Sequence, residues 1–350
     1  MIRIRKPLCF SEIGRKENQE DALYPADADA SARVFILCDG MGGHDNGEVA
    51  SATAANALGA YLSACREVDI PVFESGLTRA YEALDTIDCN GGKRPGTTMT
   101  CLCLNDDSYL VAHIGDSRIY HIRPSLFDKD TGRGGILYQS SDHSLVNDQL
   151  KAGEITEAEA RDFPQKNIIT RAMQPGVANR QRADAYMFDD LRQGDYFFIC
   201  CDGVLEQLSN AKLCAILADR KLDDAGKLAA IKAVCDGHTR DNYTCWLIPV
   251  DKVSLKDTDT PSGTIMAEKV SVPSIPRSAS FPSHTGCTVT CCPSRHLTHR
   301  IPRRLSCGLI CVLATVVILT AAFLTYRHFR KPDVPPTPKT EQLIKKHGRQ

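Results

Sequence analysis

Two textures of apolar and polar positions divide the first 250 residues. One consists of short apolar runs rich in branched and aromatic side chains: VFILC at 34–38, TMTCLCLN at 98–105, YFFICC at 196–201 and YTCWLIPV at 243–250. Runs of that length and make-up predict buried strands. Residues 109–122, YLVAHIGDSRIYHI, predict a hairpin pair turning at Gly115-Asp116-Ser117. The other texture has helical spacing and is rich in Ala and Leu. It predicts helices over 50–62 and 73–87, a more polar one over 145–161, and a mostly helical stretch over 205–234. Strands and helices do not alternate as in βαβ units. The order predicts an α+β fold, a sandwich of two antiparallel sheets flanked by helices on both outer faces.

Beyond residue 250 the texture changes. Residues 251–305 are rich in Ser, Thr and Pro and predict a flexible juxtamembrane linker. Residues 306–326, SCGLICVLATVVILTAAFLTY, contain no charge; as a helix they would be roughly 31 Å long, about one hydrocarbon thickness. They predict one C-terminal transmembrane helix, followed by a short basic polar tail over 327–350. The predicted organisation is therefore a domain over 1–250, linker, span and tail. Arginines and lysines flank the span on both sides, so charge alone leaves its orientation open.

Charge separates the same two parts. The net charge of −1 hides 15 Lys+Arg against 6 Asp+Glu after residue 250, and 27 against 37 before it. An acidic globular part argues against a nucleic-acid partner. Several of the sixteen cysteines, among them Cys38, Cys101, Cys103, Cys200, Cys201 and Cys245, sit inside apolar runs, where a thiol packs as a small hydrophobe. The N-terminus, MIRIRKPLCFSEIG, has no apolar secretory core. Together these place the N-terminal domain in a reducing cytoplasm. In the linker, Cys287, Cys291, Cys292, His296 and His299 lack paired Cys-x-x-Cys spacing, and cysteines so near a membrane suit palmitoylation as well as zinc.

Chemistry concentrates where strands end. The run at 34–38 ends on Asp39, followed by Gly40, Gly42, Gly43 and Gly47. Asp-Gly is a common tight turn, yet a carboxylate at the mouth of a buried strand also suits a metal. Asp202-Gly203 repeats the pattern, and Asp241-Asn242 opens the last strand. Three converging carboxylates repel one another unless divalent cations lie between them. No His or Cys cluster accompanies them, which favours Mg²⁺ or Mn²⁺.

In order along the chain, GRKENQED, CDGMGGHDNGE, GTT, GDSR, SDHS, ITRA, CDG and RDN resemble the motifs of the metal-dependent PPM or PP2C-type Ser/Thr protein phosphatases, in their bacterial branch. The resemblance runs from about residue 14 to residue 250. It implies a β-sandwich flanked by helices, and hydrolysis of phosphomonoesters by direct attack of a hydroxide bridging two metals, without a phosphoenzyme. It further implies that Asp39 bridges two Mn²⁺ or Mg²⁺ ions, with the Gly40 carbonyl as a ligand. Asp202 and Asp241 would hold the second ion, Glu20 and Asp21 would act through metal-bound waters, and Asp116 would help bind a third, weaker ion. Arg15 would hold the substrate phosphate, and residues 142–168 would form a mobile flap whose boundary Asp142-His143 orders. Eukaryotic members carry a His after the first Asp-Gly as a proposed general acid; this chain has Met41. His44 is the candidate for proton transfer in its place, against a turn-stabilising or solvated role.

The expected activity is therefore dephosphorylation of phosphoserine and phosphothreonine proteins at the cell membrane, opposing a cognate Ser/Thr kinase, with the catalytic domain in the cytoplasm. A catalytically silent phosphoprotein-binding regulator and a phosphatase of small phosphometabolites are the alternatives.

Overall fold

Strand β4 (Val34–Met41) shows how the sequence builds two cores at once. Phe35 and Leu37 point to one side and pack with Ile119, Phe197 and Trp246. Val34, Ile36 and Cys38 point to the other and pack with Leu58, Phe73 and Leu84. Both faces are covered, so the strand is an unbroken apolar run rather than an alternating one. The computed structural model describes residues 1–42, 46–88, 94–156, 159–160 and 168–253.

One sheet has the order β10 (Asp184–Phe188), β7 (Tyr109–Ile114), β6 (Met99–Leu104), β4 and β3 (Asp21–Tyr24), with the short β5 (Gly96–Thr97) paired to the end of β4. The facing sheet runs β1 (Ile2–Ile4), β12 (Tyr243–Val253), β11 (Tyr196–Cys200), β8 (Arg118–Ile122) and β9 (Ile136–Gln139), with β2 (Leu8–Glu12) also paired to β12. Phe35 and Trp246 meet edge to face between the sheets, ring centres 5.5 Å apart. Helices α1 (Gly47–Ser63) and α2 (Ile70–Leu84) cover the first sheet. Helix α3 (Leu145–Ala152) lies within the predicted flap, and α4 (Asp202–Leu205), α5 (Asn210–Leu217) and α6 (Asp224–Cys235) lie between β11 and β12. Of these, α5 and α6 supply Leu213, Leu217 and Ile231 to the core of the second sheet. The α+β sandwich of two antiparallel sheets with helices on both outer faces is the observed architecture.

Four local expectations are corrected. Residues 109–122 are not a hairpin: β7 pairs with β6 and β10, whereas β8 pairs with β9 and β11. The Gly115-Asp116-Ser117 turn therefore carries the chain from one sheet to the other. Asp39-Gly40 is not a tight turn, because β4 continues through Met41 and Gly40 pairs with Thr97. The helix beginning at Leu145 stops at Ala152, where Gly153 takes the left-handed conformation of a helix stop. Residues 8–24, whose charged GRKENQED run reads as a solvated loop, contain β2 and β3, where every position but Phe10 is exposed or half-buried and the strand signal is weak.

Among the described residues every cysteine is a free thiol, and no helix is long and apolar enough to cross a membrane. The run at 306–326, the linker cysteines and His44 lie outside the described residues.

Candidate active site

Register in the first sheet places two carboxylates side by side: Asp21 of β3 is opposite Asp39 of β4. The GTT segment holds the backbone of Asp39 in place. Thr98 Oγ1 accepts from the Asp39 N–H at 3.0 Å, while the Thr98 N–H and Thr97 hydroxyl donate to the Asp39 carbonyl at 2.9 and 3.0 Å. Thr98 Oγ1 also lies 2.8 Å from Ser117 Oγ, tying this strand to the turn that carries Asp116. Gly40 donates its N–H to the Glu20 carbonyl, and a Cβ at Gly40 would collide with the Gly47 and Glu20 carbonyls. Only glycine permits that approach.

From the second sheet come Asp202, in the first turn of α4, and Asp241, just ahead of β12. Gly203 lets these two segments touch, since a Cβ there would strike the Asn242 carbonyl. Asn242 knits the region together. Its Oδ1 accepts from the Glu20 N–H at 2.8 Å, and its Nδ2 donates to the Ile13 and Asn18 carbonyls. Asp39, Gly40, Glu20, Asp202 and Asp241 line one cleft of about 400 Å³. Asp21 lies behind Asp39, within 4.8 Å of it and of Cys201. Asp116, 8% exposed, feels the charge of Asp202.

The electrostatics of this group is one-sided. Burial and the neighbouring Asp202 and Asp241 push the Asp21 carboxyl up to about 7. Thr244 and the Cys201 thiol ease its charge, but neither oxygen has a partner in hydrogen-bond geometry among the described residues. Burial, then Asp202 and Asp142, raise Asp116 to about 7, and its Oδ1 is also without a partner. Burial and Asp241 raise Asp202 to about 6. Burial, with Asp21 and Asp202 beside it, raises Asp39 well above the usual carboxylate range. Buried polar atoms are almost always paired, so clustered carboxylates with orphaned oxygens fit divalent cations bound through oxygen. The thiols beside them do not offer a nucleophile: burial raises Cys200 and Cys201 far above a reactive range.

The structure distributes the cations differently from the sequence expectation. Arg15 turns away: its guanidinium donates to the Gly237 carbonyl at 3.0 Å, and it does not line the cleft. The neighbouring Lys16 does, with its Nζ 2.8 Å from Asp241 Oδ1. Chain direction explains the difference. Gly14 has φ +63° and Arg15 N–H bonds to the Arg240 carbonyl, so the turn aims residue 16 inward. Nothing in the order Arg-Lys announces which one faces the carboxylates.

His143, named with Asp142 at the flap boundary, is held by contacts from distant segments. Its backbone N–H donates to the Gly115 carbonyl at 2.9 Å, and its Nδ1 accepts from the Gly115 N–H at 3.0 Å. Its own carbonyl accepts from Thr170 N–H, and Ser144 bridges to Ile169, so both ends of the predicted flap close on it. Its Nε2 faces Asp184 at 3.3 Å and Arg171 at 3.2 Å. Arg118, of the same turn as Asp116, grips Asp142 with two bonds of 2.6 Å. The GDSR and SDHS segments thus form one clamp beneath the cleft.

Residues 11–228 match the family model for protein phosphatase 2C. The chain belongs to that family. Protein phosphatase PhpP of Streptococcus pneumoniae is 32% identical over 221 residues, covering 58% of this chain and 80% of that protein. The solved Ser/Thr phosphatase of S. agalactiae shares 31% identity with a TM-score of 0.57, covering 70% of this chain and 99% of that one. The catalytic domain of the phosphatase PstP, solved with two manganese ions, shares 25% identity with a TM-score of 0.56 and covers 72% of this chain and 100% of that one. This chain is a bacterial 2C-type Ser/Thr protein phosphatase, and the family depends on Mn²⁺ or Mg²⁺.

Proposed function

We propose that the cleft holds two divalent cations between Asp39, the Gly40 carbonyl, Asp202 and Asp241, with Glu20 and Asp21 behind them and Asp116 serving a third, weaker site. The carrying observation is the convergence of Asp39, Asp202 and Asp241 on one cleft, next to Asp21 and Asp116, which carry carboxylate oxygens without partners among the described residues. Bound there, such ions supply charge neutralisation for a phosphoryl group and acidify water. The residues of the chain do the rest. Asn242 and the two threonines hold the carboxylates at fixed separations despite their repulsion, which is preorganisation.

Lys16, which lines the cleft beside Asp241, would meet the substrate phosphate as a point charge rather than as a planar fork, leaving Asp241 to hold a cation. Arg15 holds the 237–240 loop instead. The substrates are phosphoserine and phosphothreonine proteins made by a cognate kinase. The run at 306–326 anchors the enzyme in the cell membrane as a single pass, with the linker before it and the catalytic domain on the cytoplasmic side. Its length and lack of charge support that reading.

The test uses the full chain. Hydrolysis of p-nitrophenyl phosphate and of phosphothreonine peptides is expected with Mn²⁺ or Mg²⁺ and lost with EDTA or Asp39→Ala. Turnover that survives both would overturn the metal reading, and hydrolysis of small phosphometabolites in preference to phosphopeptides would overturn the protein substrate. Membrane fractions that retain the full chain but not a form ending at residue 305 would establish the anchor; equal partitioning would refute it.

A further inference from the structure

The end of the sandwich away from the cleft carries a basic groove. β8 and β11 lead from Arg118 and Cys200, each two residues from an aspartate of the site (Asp116 and Asp202), towards Arg123 and Tyr196, which line the groove. That separation is about 15 Å at ~3.3 Å per residue. Two hollows of about 780 and 680 Å³ adjoin there, sharing Phe127, Lys129, Asp219 and Lys221. Neither shares a lining residue with the catalytic cleft. Arg123, Lys129, Arg192, Arg220, Lys221 and Lys227 line the larger hollow against two acids, Asp195 and Asp219. This excess of cations stands on a domain whose overall balance is acidic.

Not all of those cations need a ligand. Arg123 is paired with Asp190 and Asp195, and Arg192 lies 3.4 Å from Asp190. Arg220 and Lys221 follow the C-terminus of α5, where the helix dipole favours cations in any case. The weight falls on Lys129 and Lys227, neither of which forms an ion pair among the described residues. Lys227 is 8% exposed. Its Nζ donates to Tyr196 Oη at 2.8 Å and stands 4.7 Å from the centre of that ring, while Asp224 is taken by Arg5 and Tyr196. Burial disfavours its charge, and the attraction of Asp224 and Asp219 offsets that only in part, so a further anion would complete its environment.

We infer that this groove binds an extended, carboxylate-rich segment of the protein substrate, away from the phosphorylated residue. The claim rests on the reading of the chain as a phosphatase of proteins. Two features favour such a segment over a compact polyphosphate. The two hollows are open and continuous, which suits a chain. The cations sit at the tips of long side chains, which suits carboxylates spaced along a peptide.

The test combines the exposed charge reversals Lys129→Glu and Lys221→Glu in the full chain. A fluorescein-labelled, phosphate-free peptide of about a dozen residues, alternating Glu and Gly, reports binding by anisotropy without catalysis. Its affinity is expected to fall about tenfold or more in the double variant and to weaken steeply with salt. Turnover of p-nitrophenyl phosphate is expected to stay unchanged, while KM rises for a phosphothreonine peptide with an acidic extension and not for one with a neutral extension. Equal peptide binding by both proteins would overturn the groove. ATP binding that depends on Lys129 and Lys221, with no peptide binding, would overturn the peptide assignment in favour of a small polyanion. An enzyme that binds the peptide through these lysines but hydrolyses no phosphoester would refute the phosphatase reading and leave the groove standing.

Discussion

Buried aspartates stand at both ends of the sandwich, in opposite circumstances. Asp195, 1% exposed, accepts from His121 Nε2, from two nitrogens of Arg123 and from the Arg192 N–H, each at 2.9 Å. Burial pushes its carboxyl up, but those bonds outweigh it and hold the group below the ordinary range. At the other end Asp116 is buried and Asp21, Asp39 and Asp202 are half-buried, crowded among one another, and their carboxyls are raised. Desolvation is common to both; the partner set differs. A satisfied buried carboxylate fastens the fold, whereas unsatisfied ones in a group are kept at a cost in stability that only a function repays.

Substitution at each end should separate these two roles. The largest effect is expected from Asp39→Asn: activity down at least about a thousandfold, with an unchanged or slightly higher melting temperature in EDTA because a repelling charge is gone. A large loss of metal-free stability would show that Asp39 fastens the fold instead. Asp195→Ala should do the reverse. Leaving Arg123 buried without its main partner costs about 3 kcal/mol, a fall of roughly 10 °C in melting temperature for a domain of this size. Activity per folded molecule should stay near wild type in a cold assay.

The cations can be compared in the same way. Lys16→Ala is expected to lower kcat/KM about tenfold, as loss of one phosphate contact does, and Lys16→Arg to retain most of it. Arg15→Ala should change kcat/KM by no more than about twofold. The opposite result would return the phosphate to Arg15.

The smallest expected effect is in pH dependence. A raised carboxyl holds its proton more tightly in the folded chain than at the unfolded value of about 3.9. Its stabilisation is therefore complete below that value and is lost as pH rises through 6 to 7, where Asp202, Asp21 and Asp116 ionise. In EDTA the melting temperature should fall from pH 5 to pH 8, and Mn²⁺ should restore more at pH 8. Asp195 has the other sign: its contribution is present above the unfolded value and disappears as pH falls through its lowered folded value. In EDTA, removing Asp39 should flatten the first slope, and removing Asp195 should flatten only the acid limb.

Much of this was legible in the chain itself. The apolar runs at 34–38, 98–105, 196–201 and 243–250 are buried on both faces, so their composition alone predicts strands. Asp39, Asp202 and Asp241 each stand beside Gly or Asn at the end or start of such a run, where close approach and turn chemistry leave a local mark. Contacts between segments leave none. Arg15 and Lys16 are adjacent cations, and only the left-handed Gly14 and the Arg240 carbonyl decide that the lysine faces the carboxylates. The turn at 115–117 has the same residues whether its strands pair or part, and the sheet order makes them part. His143 gains its role from Gly115 and Thr170, neither of them its neighbour in sequence. Local periodicity and turn chemistry carry the strands and the metal-binding carboxylates. Which cation enters the cleft, and what clamps the turn beneath it, are set by hydrogen bonds between distant segments that exist only once the sheets have packed.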